Sequence, residues 1–471
     1  MKPLITLLSF GLTWSATAQV TISGTFVNAP IGSEVAITHY NNTIEWDEVS
    51  IAKAKVDEQG RFSATFPWDK AGPAQMQLAD QYTKLFLTPG DSLHFTCDYA
   101  NFDSTLHYTG RGSVPNNYMA ADVLAAFDQK AVQSIAQFDN ADHFVYVMDS
   151  LEQMNRELLQ SYDTPEWSAE FRQYITASTK YRFVNHRWMY RIGYDNEEKK
   201  FVHKEMPKGY FAFLGKLNLD DEGAFDNGMY STSLTRYLTE FPGPTADLPD
   251  SLSAAKRTEL WVKQNYEYRK SLFKGKVRDH QLTVFVKNQL EQVNDNPALL
   301  EWLIKDYKAT CTTPAYVAIM DRTYAAAKRM MPGQPAPGFT VVDTLNKPVS
   351  LASLSGQVVF IDFWATWCAP CRVAMPRVKA LEEKFMGRKE VTFLKVNVND
   401  DRQRWKDFLL KERPAGRNLF ADEQQSAELR KAYNFDGIPH YVLIGKDGKL
   451  IDANAAPDED AETKIRKALG L

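Results

Sequence analysis

The sequence predicts a multidomain chain: a β-sandwich or barrel-like N-terminal domain, an α-helical middle domain and a C-terminal domain of α/β type. Three observations predict it. The chain has 471 residues, more than one hydrophobic core ordinarily serves. Apolar residues recur at every second position up to about residue 112, and at every third or fourth position from 113 to 331. Beyond the breaker cluster Pro332-Gly333-Gln334-Pro335-Ala336-Pro337-Gly338, strand-like and helix-like stretches alternate over 332–471.

The N-terminus comes first. Lys2 precedes an apolar run from Leu4 to Leu12, followed by Ala16-Thr17-Ala18-Gln19. A positive start, a short apolar stretch and a small-x-small ending read as a secretory leader over residues 1–18. Export to the periplasm of a Gram-negative bacterium is the expected location. The run is too short to span a bilayer, no other segment is long and apolar enough, and no Cys follows it as a lipid anchor would require.

Residues 19–112 carry short alternating runs, Thr21–Val27, Glu34–Thr38, Arg61–Phe66 and Leu85–Phe95. Asp57-Glu58-Gln59-Gly60 reads as a hairpin turn entering the third of these. In the middle domain, Phe144, Val147, Leu151, Met154 and Leu158 mark an amphipathic helix. Ser168–Tyr194, Lys256–Leu272 and Ala298–Tyr307 follow the same period, and Pro242, Pro244 and Pro249 mark a loop between them. In the last domain Val358–Phe363 and Val391–Val398 read as buried strands, with helices over Pro370–Phe385 and Arg402–Leu410. His440–Ile444 and Leu450–Ala453 pair around Lys446-Asp447-Gly448, and Ala461–Leu469 closes the chain as a helix.

Composition narrows the function. The chain is 44% hydrophobic and 24% charged, with a net charge of −4, which offers no electrostatic case for nucleic acid or an anionic membrane. Four cysteines occur, Cys97, Cys311, Cys368 and Cys371, too few for a disulfide scaffold. Cys97 and Cys311 fall in different predicted domains, as buried thiols or as an interdomain disulfide. The histidines show no ligand spacing. The aromatic set Phe171, Tyr174, Tyr181, Phe183, Trp188, Tyr190 and Tyr194 fits core packing more readily than a binding surface.

The close pair in Trp367-Cys368-Ala369-Pro370-Cys371 sits where a strand gives way to a helix. A Cys at a helix N-terminus meets unpaired backbone N–H groups and the positive end of the dipole, which stabilise a thiolate. A second Cys three positions on can resolve the mixed disulfide formed by the first. Pro370 suits the first helical turn, where its missing N–H is no loss. A zinc site would need two further ligands, and none is suitably spaced. Covalent haem would need His where Arg372 stands. Asp362, six residues before Cys368 inside an apolar strand, is either a tolerated edge carboxylate or a buried acid able to exchange a proton with Cys371.

The stretch Val358-Val359-Phe360-Ile361-Asp362-Phe363-Trp364-Ala365-Thr366-Trp367-Cys368-Ala369-Pro370-Cys371 resembles the active site of the thioredoxin superfamily, most closely its exported TlpA/ResA-like thiol–disulfide oxidoreductases. Ala336–Phe339 and Val349–Leu351 resemble the same subgroup. The resemblance implies a thioredoxin fold over 332–471, Cys368 as nucleophile, Cys371 as resolving thiol and Asp362 as buried proton carrier. Tyr433–Pro439 resembles the family's cis-proline segment, which implies a cis Pro439 facing the pair, with Trp367, Ile438 and Pro439 as substrate contacts. Lys395 resembles the lysine that partners the buried acid, and Pro376 the kink of the active-site helix. Two positions depart from the pattern. Ala374 stands where some exported relatives carry glutamate, and His440 follows the cis-proline position, where it is either a modulator of the thiolate or a packed bystander.

The expected function is reduction or exchange of protein disulfides, with the redox-active Cys368–Cys371 pair in place of any cofactor. The partners this implies are a disulfide-bearing or thiol substrate and a membrane thiol electron donor. A disulfide oxidase or isomerase is the enzymatic alternative, separable by potential, about −270 mV for a reductant and about −120 mV for an oxidant. From another class comes an envelope ligand-binding or sensing protein with an accessory thioredoxin-like domain.

Overall fold

The computed structural model describes residues 18–137, 140–195, 200–225, 227–243, 251–292 and 296–471. The leader assigned to residues 1–18 therefore falls, except for Ala18, outside the described residues, as do Pro244 and Pro249 of the expected proline loop. The chain forms two compact units, Met1–Gly243 and Pro244–Leu471. The expected middle domain, 113–331, is thus divided between them: its first helices pack with the β-rich part and its last four with the α/β part.

In the first unit eight strands form two four-stranded sheets. They are β1 (Gln19–Val27), β2 (Glu34–Tyr40), β3 (Glu48–Lys55), β4 (Arg61–Pro67), β5 (Gly72–Leu78), β6 (Gln81–Leu87), β7 (Ser92–Asp98) and β8 (His107–Arg111). The orders are β4-β1-β7-β8 and β3-β2-β5-β6. Alternation along β1 and β4 buries Val20, Ile22, Phe26, Phe62 and Phe66 against Val35, Ile37, Met76 and Leu85 of the other sheet, in one shared core. The expected run Leu85–Phe95 is two strands, because Pro89-Gly90 turns the chain between β6 and β7.

Among the described residues this unit adds five α-helices of eleven residues or more, Ser113–Ala125, Phe127–Gln137, Ala141–Tyr162, Ala169–Met189 and Gly228–Glu240. Phe171, Tyr181, Phe183 and Tyr190 of the aromatic set are buried in their packing, while the Trp188 indole donates to Glu240 at 2.9 Å. The helix expected over Ser168–Tyr194 stops at Met189, and β9 (Ile192–Asp195) pairs antiparallel with β10 (Lys200–His203). Arg182 is buried and held by Asp122, which also accepts from Asn155 at 3.0 Å. That partner is what makes an interior guanidinium tolerable.

The second unit opens with helices Ala254–Leu272, Gly275–Gln292, Pro297–Thr310 and Pro314–Arg329. The buried Asp279 carboxylate ties the second of them to the turn between the last two by accepting from Thr312 N and Oγ1 at 2.8 Å and from Thr313 Oγ1 at 2.9 Å. A seven-stranded sheet follows, built from β11 (Thr340–Asp343), β12 (Pro348–Ser350), β13 (Val358–Trp364), β14 (Val391–Asn397), β15 (Arg417–Phe420), β16 (His440–Ile444) and β17 (Leu450–Asp452). Its order, β12-β11-β15-β14-β13-β16-β17, is mixed: β13, β14 and β15 run parallel and β16 antiparallel. This is the α/β arrangement that the resemblance implies.

Every residue of β13 is buried, as expected of a strand covered on both faces. Val359, Ile361 and Phe363 face a core shared with Leu429 and Tyr433 of the helix Glu423–Tyr433. Val358 and Phe360 face the helices Ala369–Glu383 and Glu459–Leu469 through Val378, Leu381 and Ile465. Cys97 and Cys311 are both buried free thiols, so no interdomain disulfide joins them. Among the described residues no helix is long and apolar enough to cross a membrane.

One turn tests the N-terminal framework. Gly60 has φ +75°, and a Cβ there would lie 2.3 Å from the Phe26 carbonyl oxygen. Gly60→Ala should lower stability by more than about 1 kcal/mol, measured as a fall in the urea midpoint of the first unit's unfolding. An unchanged midpoint would contradict this reading of the turn.

Candidate active site

The site forms where β13 ends. Ala365, Thr366 and Trp367 carry the chain from the strand to the helix Ala369–Glu383, and Cys368 is that helix's N-cap, its sulfur accepting the Cys371 N–H at 3.1 Å. The sulfur so occupies the place of a capping oxygen, beside the unpaired amides of the first turn. Cys368 and Cys371 are joined as a disulfide with their Cα atoms 5.3 Å apart, a span that a disulfide bridges without backbone movement. Pro370 stands in the first turn, and Pro376 lies inside the helix.

The loop ahead of Cys368 is tied down by a residue the sequence did not single out. The buried Asp400 carboxylate accepts from Thr366 N at 2.6 Å, Thr366 Oγ1 at 3.0 Å and Asn397 Nδ2 at 3.1 Å. In sequence it is one of several polar residues after a strand; only folding brings it under Thr366. The Trp367 indole N–H donates to the Asn399 carbonyl at 2.8 Å, which leaves its ring 55% exposed. Val373, on the next turn of the helix, is 77% exposed. Both sulfurs are buried against Trp364, Trp405 and Phe420, so the pair presents an apolar rim outward and a dry wall inward.

The Ile438–Pro439 peptide bond is cis, and the Ile438 carbonyl oxygen lies 3.5 Å from Cys368 Sγ. Trp367, Ile438 and the Cys pair therefore meet at one end of the sheet. His440 does not join them as a cation. It stacks on Phe435 at 4.7 Å and on Phe363 at 6.1 Å, on the face of the sheet opposite the active-site helix. Burial there pushes its pKa down to about 4, so the ring is neutral near pH 7.

Asp362 lies on the other face. With Phe360 turned toward the active-site helix, the two-residue period of a strand turns Asp362 there as well. It is 3% exposed and its Oδ1 has no hydrogen-bond partner. Burial raises its pKa to about 7, opposed in part by the positive charge of Lys395. Lys395 is Asp362's register partner on β14 and is itself buried. Burial lowers the lysine's pKa, while Glu382 and Asp362 both favour its charged form. Glu382, on the active-site helix, has its own pKa raised by burial. The interior between β13, β14 and the active-site helix thus holds two acids and one base; the sequence pointed to Asp362 and Lys395, and Glu382 was missed because its helix position reads as a solvent face. Among the described residues no three His, Cys, Asp or Glu side chains cluster as a metal site.

Comparison with known proteins identifies the family of the C-terminal part. The Redoxin family model matches residues 331–469. The thiol-disulfide oxidoreductase ResA of Bacillus thuringiensis (strain Al Hakam) is 30% identical over 129 residues, which cover 27% of this chain and 72% of ResA. This chain belongs to the TlpA/ResA-like thiol–disulfide oxidoreductases of the thioredoxin superfamily. Thioredoxin of Coprinus comatus is 36% identical over 129 residues, covering 27% of this chain and 92% of that protein. A crystal structure of a thiol:disulfide interchange protein of the thioredoxin family from Chlorobium tepidum TLS aligns at 29% identity and a TM-score of 0.25, covering 29% of this chain and 96% of its own. The TlpA/ResA-like domain makes this protein a thiol–disulfide oxidoreductase, with thiols or disulfides of proteins as its substrates.

The buried acid gives a pH signature. Native Asp362 holds its proton up to about pH 7, whereas an unfolded Asp loses it near 3.8. Between those values the native state binds more protons, so Asp362 lowers stability progressively as pH rises and leaves it flat above. Asp362→Asn in the oxidised protein should therefore be more stable than the parent at pH 8 by a few kcal/mol, at about 1.36 kcal/mol per pH unit of displacement. The difference should shrink toward zero near pH 4. Denaturant unfolding across that range measures it, and a difference independent of pH would contradict the assignment.

Proposed function

We propose that this oxidoreductase works in the periplasm, where it reduces or exchanges the disulfides of client proteins through Cys368 and Cys371. The observation that carries the reading is the capping geometry of Cys368, with a second sulfur one turn on and a protonatable carboxyl on the strand face behind. The leader-like pattern of residues 1–18 supports export.

In the reducing direction the Cys368 thiolate attacks one sulfur of the client disulfide. The Cys368–client bond forms, the client S–S bond breaks, and the other client sulfur leaves as a thiolate that takes a proton from solvent. Cys371 then gives its proton to Asp362 and attacks Cys368 Sγ. The internal disulfide closes and the second client sulfur departs, to be protonated in turn. Two electrons pass from the dithiol to the client. Asp362 suits this step because a carboxyl with a pKa near 7 can both accept and return a proton at neutral pH. Trp367, Ile438 and Pro439 form the client platform, the backbone of Ile438 pairing with an extended client strand. The sulfur pair carries the electrons, so no resident cofactor enters the cycle. A membrane thiol donor restores the dithiol by the same exchange run in reverse.

Insulin reduction driven by dithiothreitol tests the reading. Cys368→Ser should reduce the rate to that of the reagent alone, while Cys371→Ala should accumulate client proteins as mixed disulfides on Cys368. Undiminished turnover by Cys368→Ser would sink it.

A further inference from the structure

The second unit carries a groove of about 650 Å³ between the helices Pro314–Arg329 and Glu423–Tyr433. Its charges are unequal. Arg322, Arg329, Arg430 and Lys431 line it, against Glu423 and Asp436. The four cations outnumber the two acids, and Lys287, the cation near Asp436, has its closer partner in Glu291. Asp436 lies 3.8 Å from Lys287, and Glu423 occupies the first turn of its helix, where the dipole already favours a negative charge. Among the described residues Arg329 and Lys431 form no ion pair, and both are exposed.

The groove is continuous with the reacting end of the domain. Asn399 lines it, and the Asn399 carbonyl holds the Trp367 indole at 2.8 Å. Phe435 lines it too, stacked on Phe363 at 4.8 Å. From Phe435 the backbone runs through Asp436 and Gly437 to Ile438, whose carbonyl faces Cys368 Sγ. A chain laid along Ile438 and running toward Phe435 would reach this cationic wall. Two of the four cations, Arg322 and Arg329, come from the helix that precedes the thioredoxin-like domain.

Building on the proposed function, we infer that the groove receives an acidic stretch of the client polypeptide flanking its disulfide. The helical segment before the thioredoxin-like domain then has a role in choosing clients, since residues 332–471 alone would keep only Arg430 and Lys431. Complementary charge of this kind speeds encounter and sets preference, and it weakens with salt.

The test uses the full chain and two model peptides with the same disulfide loop, one flanked by glutamates and one by glutamines, each reduced with dithiothreitol as electron source. The parent should favour the acidic peptide in kcat/KM by about tenfold at low ionic strength, the scale of a few partly screened charges. The preference should fade by about 0.5 M salt, where screening is nearly complete. Arg329→Glu combined with Lys431→Glu should abolish it through a higher KM for the acidic peptide. Its turnover of the glutamine peptide, unchanged, reports that the variant is folded. Equal rates on the two peptides in the parent, or a preference that survives the double substitution, would overturn this inference and leave the proposed function standing. A parent that reduces neither peptide would overturn both.

Discussion

A helix that begins on a cysteine is the constraint from which the reacting end of this protein follows. Cys368 must end the loop from β13 and also cap the helix Ala369–Glu383, and its sulfur does so by accepting the Cys371 N–H. That contact places the sulfur in the positive field of the helix terminus, which lowers the cost of a thiolate there. It also fixes the partner, because the residue whose amide is accepted is the one whose sulfur forms the disulfide. The rest of the domain holds this junction still. β13 is buried on both faces, and Asp400 pins Thr366 through backbone and hydroxyl together.

The same burial sets the protonation of Asp362. A strand covered on both sides has no wet position for a carboxylate, so Asp362 keeps its proton up to about pH 7. Lys395 would otherwise ionise it, but the lysine is buried too and is shared with Glu382. A single cation between two acids leaves one of them free to be neutral. His440 shows the contrast. It is adjacent in sequence to Pro439, yet it faces the other side of the sheet into an aromatic stack and holds no charge to offer.

How much of this was legible in the sequence depended on how local the cause was. The Cys pair, Pro370 and the buried strand before them are read from adjacent residues, and so are the alternating strands Thr21–Val27 and Arg61–Phe66. β11, β12 and β15 are three or four residues each and leave no mark in the pattern, because pairing rather than periodicity makes them strands. The helical middle gave its period but not its partition. Nothing in the spacing of apolar residues says that helices before Gly243 and after Pro244 pack into different units. Asp400 and Glu382 act through residues distant along the chain, so their identity as polar residues in a loop and on a helix carried no signal. Asp362 was legible because a carboxylate inside an apolar run is conspicuous without any fold.

The capping role of Cys368 can be measured directly. After reduction, alkylation by iodoacetamide is followed across pH 4 to about 9, with the modified cysteine located by peptide mass. Cys368 should react first, with an apparent pKa clearly below the ordinary thiol value of about 8.5, and Cys371 only at higher pH. Preferential modification of Cys371, or a Cys368 profile at the ordinary thiol value, would contradict the account.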